Sequence, residues 1–350
     1  AIFATVFFRF PARNLTVIGV TGTDGKTTTV NLIYEIFKKA GKKVAMVSSV
    51  GAKIGGKDYD LPFHVTTPSS WQLQKFLRMA VNRGDQYLVL EVTSHALDQN
   101  RVWGIPFRIG VLTNVTHEHL DYHKTFENYV RAKMKLFKRV EWAVVSKDFL
   151  DSGFKVLRSK SLKVISRNFP FTTSLPGEYN QQNCLAAITV ARILGVPDKI
   201  IREGVLGFKG LIGRFELIDS GRGVQILIDF AHTPNALEQL LRTIKPQVSG
   251  RLIHVFGSAG LRDFTKRPLM GEIAAKYDDI IILTEEDYRT EDVNKIMREI
   301  ESGADPRLRG DDAEASIFKI PNRQEAISKA IKMAKKGDWV VLTGKGHERS

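Results

Sequence analysis

One cysteine in 350 residues, Cys184, leaves no partner for an intramolecular disulfide and too few thiolates for a cysteine-rich metal site. No apolar run approaches the ~18 residues that cross a bilayer. The most apolar stretch near the start, Ala1–Phe8, is stopped by Arg9 and lacks the basic n-region and small-residue cleavage site of a secretory signal. The chain is therefore expected to carry no membrane span and to work in a reducing, cytoplasmic setting. Acidic residues are the scarcer charge, 38 Asp+Glu against 52 Lys+Arg, a net +14. Hydrophobic residues at 43% and charged residues at 26% suit a chain that buries real cores and exclude a disordered or collagenous one. A length of 350 residues accommodates two domains. The positive balance attracts polyanions, but the cations are spread along the chain, which favours small anionic substrates over nucleic acid.

From Leu15 onward, short β-branched runs alternate with amphipathic stretches. Strands are expected at Leu15–Val20, Val44–Val47, Tyr87–Val92, Ile109–Leu112, Trp142–Val145 and Val164–Ile165, with helices at Val30–Ala40, Phe126–Phe137 and Asn183–Leu194. Asp198–Gly207 reads as a short further helix, and the aperiodic stretch Gly207–Gly213 as a boundary. A second series follows, with strands at Arg214–Ile218, Val224–Asp229, Leu252–Phe256, Ile280–Leu283 and Trp339–Thr343. Its helices are expected at Asn235–Ile244, Leu269–Tyr277 and Asp292–Ile300, and Ser302–Ser316 reads as a surface insertion. The expected fold class is α/β, a mostly parallel sheet in an ATPase domain over residues 15–208 and a Rossmann-like domain over 209–350, with 1–14 as a linker remnant.

The strongest local signal is Thr21-Gly22-Thr23-Asp24-Gly25-Lys26-Thr27-Thr28, directly after a strand and opening a helix. Glycines let backbone N–H groups approach phosphate oxygens, Lys26 reaches the terminal phosphates, and Thr27 can ligate Mg²⁺. Position 20, where the commonest phosphate loop has its first glycine, is Val20. Glu91 closes a strand ahead of Thr93-Ser94-His95, and Thr113-Asn114 closes another ahead of His117, Glu118, His119, Asp121 and His123. Such groups at strand ends are usable ligand and metal contacts. Lys133 lies on the same helix side as Tyr129, Leu136 and Phe137; taken alone, a lysine there is more often snorkelling than modified. Asp229 and His232 mark a strand end, and a loop of glycines and cations, with Arg262 and Lys266, gathers anionic groups at another.

In order along the chain, TGTDGKTTT, TTPSSWQLQ, EVTSHALDQNRV, TNVTHEHLDYH, YVRAKMKLF, GEYNQQN, GRFE, DFAHTPNAL, FGSAGLRDFTKRPLMG and TGKGHE resemble the Mur ligases, most closely the branch that adds the third residue of the peptidoglycan stem peptide. The resemblance spans about Leu15 to Glu348. It implies an ATP-dependent ligase that activates the carboxylate of UDP-N-acetylmuramoyl-L-alanyl-D-glutamate as an acyl phosphate and couples it to a diamino acid, with two Mg²⁺ ions. By motif it implies that Gly22, Thr23, Asp24, Gly25, Lys26, Thr27 and Thr28 bind ATP, with Asn183, Arg214, Asp229 and His232. Thr27, Glu91, His119 and Lys133 would serve the metals, Lys133 as a carbamylated lysine. Thr66, Thr67, Ser94 and Arg101 would hold the muramoyl peptide, and Arg289, Gly344 and Glu348 the incoming amino acid.

The resemblance lacks the family's uridine-binding domain. The segment Glu286-Asp287-Tyr288-Arg289 keeps the arginine of the signature of diaminopimelate users without its Asn-Pro, which leaves diaminopimelate and lysine both open. Two rivals stand beside this reading: a cyanophycin- or folylpolyglutamate-type ligase of the same superfamily, and a nucleic-acid-binding ATPase that is no ligase. The expected protein is a monomer.

Overall fold

A computed structural model of the protein describes residues 1–61, 66–151, 161–165, 173, 175–304 and 316–346. These form two compact units. The first comprises residues 1–116, 125–175 and 179–209, and the second 117–124, 176–178 and 210–350.

The first unit is built on eight strands: β1 (Thr16–Thr21), β2 (Val44–Ser48), β3 (Gly51–Ile54), β4 (Lys57–Tyr59), β5 (Tyr87–Glu91), β6 (Phe107–Leu112), β7 (Trp142–Ser146) and β8 (Ser161–Ile165). Their order is β4-β3-β2-β5-β1-β6-β7-β8. From β2 to β8 all pairs are parallel, while β3 and β4 add antiparallel at one edge. β1, β5 and β6 are almost wholly buried, as near-continuous apolar runs covered on both faces must be. The helix Lys26–Lys39 buries Val30, Leu32, Ile33, Ile36 and Phe37. Helix Asp198–Leu206 packs on it so closely that a Cβ on Gly204 would lie 2.9 Å from the Ile36 Cα. A separate apolar cluster gathers Val17, Val47, Leu88 and Leu90 with Leu73, Phe76, Leu77 and Ala80 of the helix Ser70–Asn82.

The second unit has β9 (Glu216–Asp219), β10 (Gln225–Ile228), β11 (Leu252–Phe256), β12 (Ile280–Leu283), β13 (Ser316–Lys319) and β14 (Trp339–Leu342). Their order is β13-β12-β11-β14-β10-β9, parallel except for β9. One core places Leu252, Phe256, Ile281 and Val341 with side chains of helices Pro234–Ile244, Lys266–Tyr277 and Val293–Glu301. The other sets Ile253, Val255, Ile282 and Val340 against Ala326 and Ala330 of helix Arg323–Met333.

The α/β class with mostly parallel sheets is as the sequence rhythm indicates, and β11 and β12 have the expected bounds. Elsewhere the differences have local causes. Residues 1–14 carry the helix Ile2–Phe7 and a 3-10 turn, Pro11–Asn14. The helix expected at Phe126–Phe137 is α-helical to Met134 and tightens into a 3-10 turn over Lys135–Arg139. The strand expected at Arg214–Ile218 begins at Glu216, because Phe215 takes a left-handed φ of 49° with its N–H donating to Asp229. The helix expected from Leu269 begins three residues earlier at Lys266, because Lys266 and Arg267 are buried against carboxylates. Of the expected insertion Ser302–Ser316, residues 305–315 lie outside the described residues.

Candidate active site

Parallel strands bring their carboxyl ends to one edge of the first sheet, where an open α/β sheet binds its ligand. There β1 runs into Gly22, β2 into Ser49, β5 ends on Glu91, and β6 runs into Thr113-Asn114. Gly25 caps the helix Lys26–Lys39 with a φ of 78°, a value that strains any residue with a Cβ. A Cβ on Gly22 would overlap Thr113 Oγ1, so only glycine lets the turn lie this close to β6.

The loop is fastened from that side. The Asn114 carbonyl accepts from Thr23 N at 3.0 Å, Asn114 Oδ1 accepts from Asp24 N at 2.9 Å, and Thr113 Oγ1 donates to the Asp24 carbonyl at 2.6 Å. Thr23 Oγ1 accepts from Thr116 N at 2.9 Å and lies 3.1 Å from the Tyr129 hydroxyl. Lys26 Nζ donates to the Thr23 carbonyl at 2.6 Å, which keeps the ammonium over the loop. Thr27 and Thr28 follow in the first helical turn, whose N–H groups have no helical acceptors and form an anion seat.

Beside this seat three oxygen-bearing side chains meet. Thr27 Oγ1 is 2.8 Å from Ser49 Oγ and donates to Glu91 Oε1 at 3.2 Å. Ser49 donates to Glu91 Oε2 through its N–H at 2.9 Å and its hydroxyl at 3.3 Å. Glu91 is 2% exposed. Such a set suits a hard divalent cation: Mg²⁺ takes one or two carboxylates and completes its shell with water and phosphate oxygens. Among the described residues no three His, Cys, Asp or Glu side chains gather as a metal site, so a cation here would rely on hydroxyls, phosphate and water. Lys133, 1% exposed, donates from Nζ to the Gly22 carbonyl at 2.6 Å and lies 4.3 Å from the Tyr129 ring centre. The lysine thus supports the loop from behind.

The other expected residues of this unit cluster nearby. Buried Thr67 donates from its hydroxyl to the Glu91 carbonyl and accepts from Thr93 N, both at 3.0 Å, with half-buried Thr66 beside it. Arg101 donates to the Thr67 carbonyl at 3.0 Å and to Gln99 Oε1 at 2.8 Å. Thr93 caps the short helix Ser94–Asp98, in which Ser94 is buried. Asn183, on helix Glu178–Ile193, packs its Oδ1 against Gly25 and accepts from Thr29 Oγ1 at 3.4 Å.

In the second unit, Asp229 accepts from Phe215 N and Ala231 N, each at 2.7 Å. The Arg214 guanidinium lies 4.2 Å from the Phe230 ring centre, and His232 Nδ1 is 2.9 Å from the Phe230 carbonyl. His119 falls in this unit too, with a φ of 59° and Nδ1 3.8 Å from Glu118 Oε1. Arg289 Nε is 3.4 Å from Asp287 Oδ2, and Gly344 packs against the Glu286 carboxylate. Glu348 lies outside the described residues. Lys26, Thr27, Glu91 and Lys133 are thus brought together within the first unit, and Arg214, Asp229 and His232 within the second.

Lys266, read in the sequence as one cation of an anion-gathering loop, is engaged by a carboxylate of its own unit. It is 2% exposed, 3.2 Å from the buried Glu118 carboxylate, and donates to the His232 carbonyl at 2.8 Å. Sequence reasoning also passed over Arg267. Its guanidinium, 0% exposed, makes a fork with Glu291 at 2.9 and 2.8 Å, pairs with Glu299 and donates to the Ala259 carbonyl. Those hydrogen bonds hold the Glu291 carboxyl far below its ordinary range, at about 2. Ser49 was missed as well; the signal available was a hydroxyl just past a strand's carboxyl end.

A glycine-bound loop opening a helix beside the oxygens of Thr27, Ser49 and Glu91, on a mostly parallel sheet, is an arrangement suited to nucleotide phosphates and a hard cation. Residues 20–152 match the Mur ligase middle domain, and residues 213–346 the Mur ligase glutamate ligase domain. Over 99% of its length the chain is 36% identical to the UDP-N-acetylmuramoyl-L-alanyl-D-glutamate–2,6-diaminopimelate ligase of Clostridium botulinum (strain ATCC 19397 / Type A), covering 76% of that protein. The solved structure of a ligase of that name matches at 30% identity and a TM-score of 0.59, over 95% of this chain and 74% of the other. The bifunctional folylpolyglutamate synthase/dihydrofolate synthase of Yersinia pestis, solved with AMPPNP and a Mn ion, shares the fold at 16% identity. Its TM-score is 0.76 over 98% of this chain and 89% of the other. The chain belongs to the Mur ligase family of ATP-dependent ligases. None of its described helices is long and apolar enough to cross a membrane.

Proposed function

We propose that the chain couples a diamino acid, meso-diaminopimelate or L-lysine, to the free carboxylate of UDP-N-acetylmuramoyl-L-alanyl-D-glutamate, as a single chain in the cytoplasm. Residues 15–208 would handle ATP and residues 209–350 the amino acid. A carboxylate oxygen attacks the γ-phosphorus of ATP and ADP leaves; the amine nitrogen then attacks the acyl carbon and phosphate leaves. The repulsion between two anions dominates the first step, so the site must gather positive charge at the phosphates.

Lys26 and the N–H groups of residues 25–28 would supply much of it, in keeping with the Lys26 ammonium held over the loop, while the Thr23 and Asp24 N–H groups fasten the loop to Asn114. Thr27, Ser49 and Glu91 would hold one Mg²⁺ and His119 would serve a second; when bound, these ions neutralise phosphate charge. A neutral Lys133 amine adding to CO₂, with loss of one proton, would give a carbamate, an anionic oxygen ligand. Asn183 would meet the adenine, while Asp229, tying Phe215 to Ala231, would present Arg214 and His232 to the nucleotide. Thr66, Thr67, Ser94 and Arg101 would bind the muramoyl peptide, and Arg289, Gly344 and Glu348 the amino acid.

The observation that carries this reading is the meeting of Thr27, Ser49 and Glu91 oxygens beside a glycine-bound phosphate loop. Its test is mass spectrometry after incubation with ATP, Mg²⁺, the muramoyl dipeptide nucleotide and either diamino acid. One amide product per ADP and phosphate is expected; ATP turnover without that product sinks the reading.

A further inference from the structure

An apolar layer of the second unit is crossed by a polar chain that no step of the reaction uses. Asp278, His254 and Thr343 are each 0% exposed. His254 Nδ1 lies 2.7 Å from Asp278 Oδ2, and Nε2 lies 2.8 Å from Thr343 Oγ1. The neighbours of His254 along β11, Leu252 and Phe256, belong to the core with Leu237, Leu241 and Met270, and the imidazole stacks on Phe256 at 4.4 Å. Aspartate, imidazole and hydroxyl in a row resemble a nucleophile relay, but a reacting group sealed from solvent meets no substrate. Polar groups in such a layer cost stability unless each is paired, so the chain is kept for what it connects.

Asp278 ends helix Lys266–Tyr277, and His254 stands in the middle of β11. Thr343 is the first residue beyond β14 and opens the Gly344–Gly346 turn. The Thr343 main chain is also held, its N–H donating to the Val255 carbonyl at 3.1 Å and its carbonyl accepting from Arg323 at 2.8 Å. Beyond it, Gly344 packs against the Glu286 carboxylate and Gly346 against the Gly213 backbone. With Asp278 ionised, Nδ1 keeps its proton and Nε2 accepts from the threonine hydroxyl; an imidazolium would donate to it instead. Either state fixes the Thr343 rotamer.

We propose that His254 is a positioning residue which, through Thr343, sets where the Gly344–Gly346 turn stands and thereby the affinity for the incoming amino acid. The proposal rests on the reading above that this turn holds the amino acid. Thr343→Val tests it, because valine keeps the shape of threonine, removes the hydroxyl, and leaves the His254–Asp278 pair intact. Amide hydrogen exchange around residues 343–346 is expected to quicken about five- to tenfold, the size of one net hydrogen bond, with peptides from β11 and β12 unchanged. The amino-acid KM is expected to rise by a similar factor, with kcat and the ATP KM within about twofold of the parent. Thr343→Ser, which keeps the hydroxyl, and His254→Gln, whose amide offers one donor and one acceptor in place of the two ring nitrogens, are expected to leave both readouts near the parent values. Unchanged exchange overturns the proposal whatever the kinetics, and so does faster exchange with an unaltered amino-acid KM. If the parent enzyme makes no muramoyl tripeptide, the functional reading falls, and the exchange comparison alone decides the positioning claim.

Discussion

Arg267 is the residue whose removal has the most readable cost. Its guanidinium is wholly buried and bound to two carboxylates, Glu291 at 13% and Glu299 at 31% side-chain exposure, and to the Ala259 carbonyl. Replacing buried Arg267 with alanine removes four hydrogen bonds at once and leaves Glu291 with the Leu261 N–H at 2.8 Å and Lys295 at 3.4 Å. Breaking a buried ion pair from one side costs roughly 3–5 kcal/mol. Partial wetting of both carboxylates puts Arg267→Ala near the lower end, about 3 kcal/mol. At about 2–4 °C per kcal/mol for a domain of this size, the melting temperature of the second unit drops by roughly 10 °C.

Guanidinium chloride unfolding, checked for an unchanged slope m, measures the loss, and a cycle with Glu291→Gln isolates the pair. A coupling near 2 kcal/mol is expected, because once the carboxylate is neutral its orphaning no longer counts. Additive effects, or a loss below about 1 kcal/mol for Arg267→Ala, would refute the reasoning. The pH dependence gives an independent sign. The Glu291 carboxyl is held at about 2, chiefly by its hydrogen bonds to Arg267 and against the effect of burial. A carboxyl depressed in the folded state stabilises fully above its unfolded pKa of ~4.3 and loses that contribution as pH falls. The stability gap between the parent and Glu291→Gln is therefore expected to be whole at neutral pH and to close as pH falls from about 4 toward 2.

Lys26→Ala removes the ammonium held over the phosphate loop and is expected to lower ADP release about 10²- to 10³-fold, as loss of a transition-state charge contact does; turnover within threefold of the parent would count against the site. Lys133→Ala is expected to lose most activity and recover part of it with short carboxylic acids, and CO₂-free buffer is expected to slow the parent alone. If the acids rescue nothing, the carbamate is dropped while the phosphate loop stands. The Cys184 thiol is buried and pushed up to about 12 by desolvation, so a thiol reagent at about pH 8 is expected to react only after denaturant unfolds the first unit. Rapid labelling of the native chain would contradict that burial.

Spacing along the chain reveals what neighbours in sequence decide and little else. The apolar runs of β1, β5 and β6 and the glycine turn after β1 were legible because strand, loop and helix start follow one another directly. The helix Ser70–Asn82 was equally legible and overlooked. Ser69 caps it by accepting from Gln72 N, and Leu73, Phe76, Leu77 and Ala80 recur at helical spacing. Arg267 and His254 are a different case. The carboxylate partners of Arg267 lie 24 and 32 residues away, and the partners of His254 lie 24 and 89 residues away. No local pattern distinguishes these residues from a solvated loop cation or an odd polar residue in an apolar strand. By period alone, His254 in Leu-Ile-His-Val-Phe would be exchangeable for valine. The structure argues otherwise, because valine would remove the two ring nitrogens that meet Asp278 Oδ2 and Thr343 Oγ1 in a wholly buried layer. Ser49 falls between the two cases: its strand was legible, but its place beside Thr27 and Glu91 follows from β2 lying next to β5, a sheet order that the sequence rhythm does not encode.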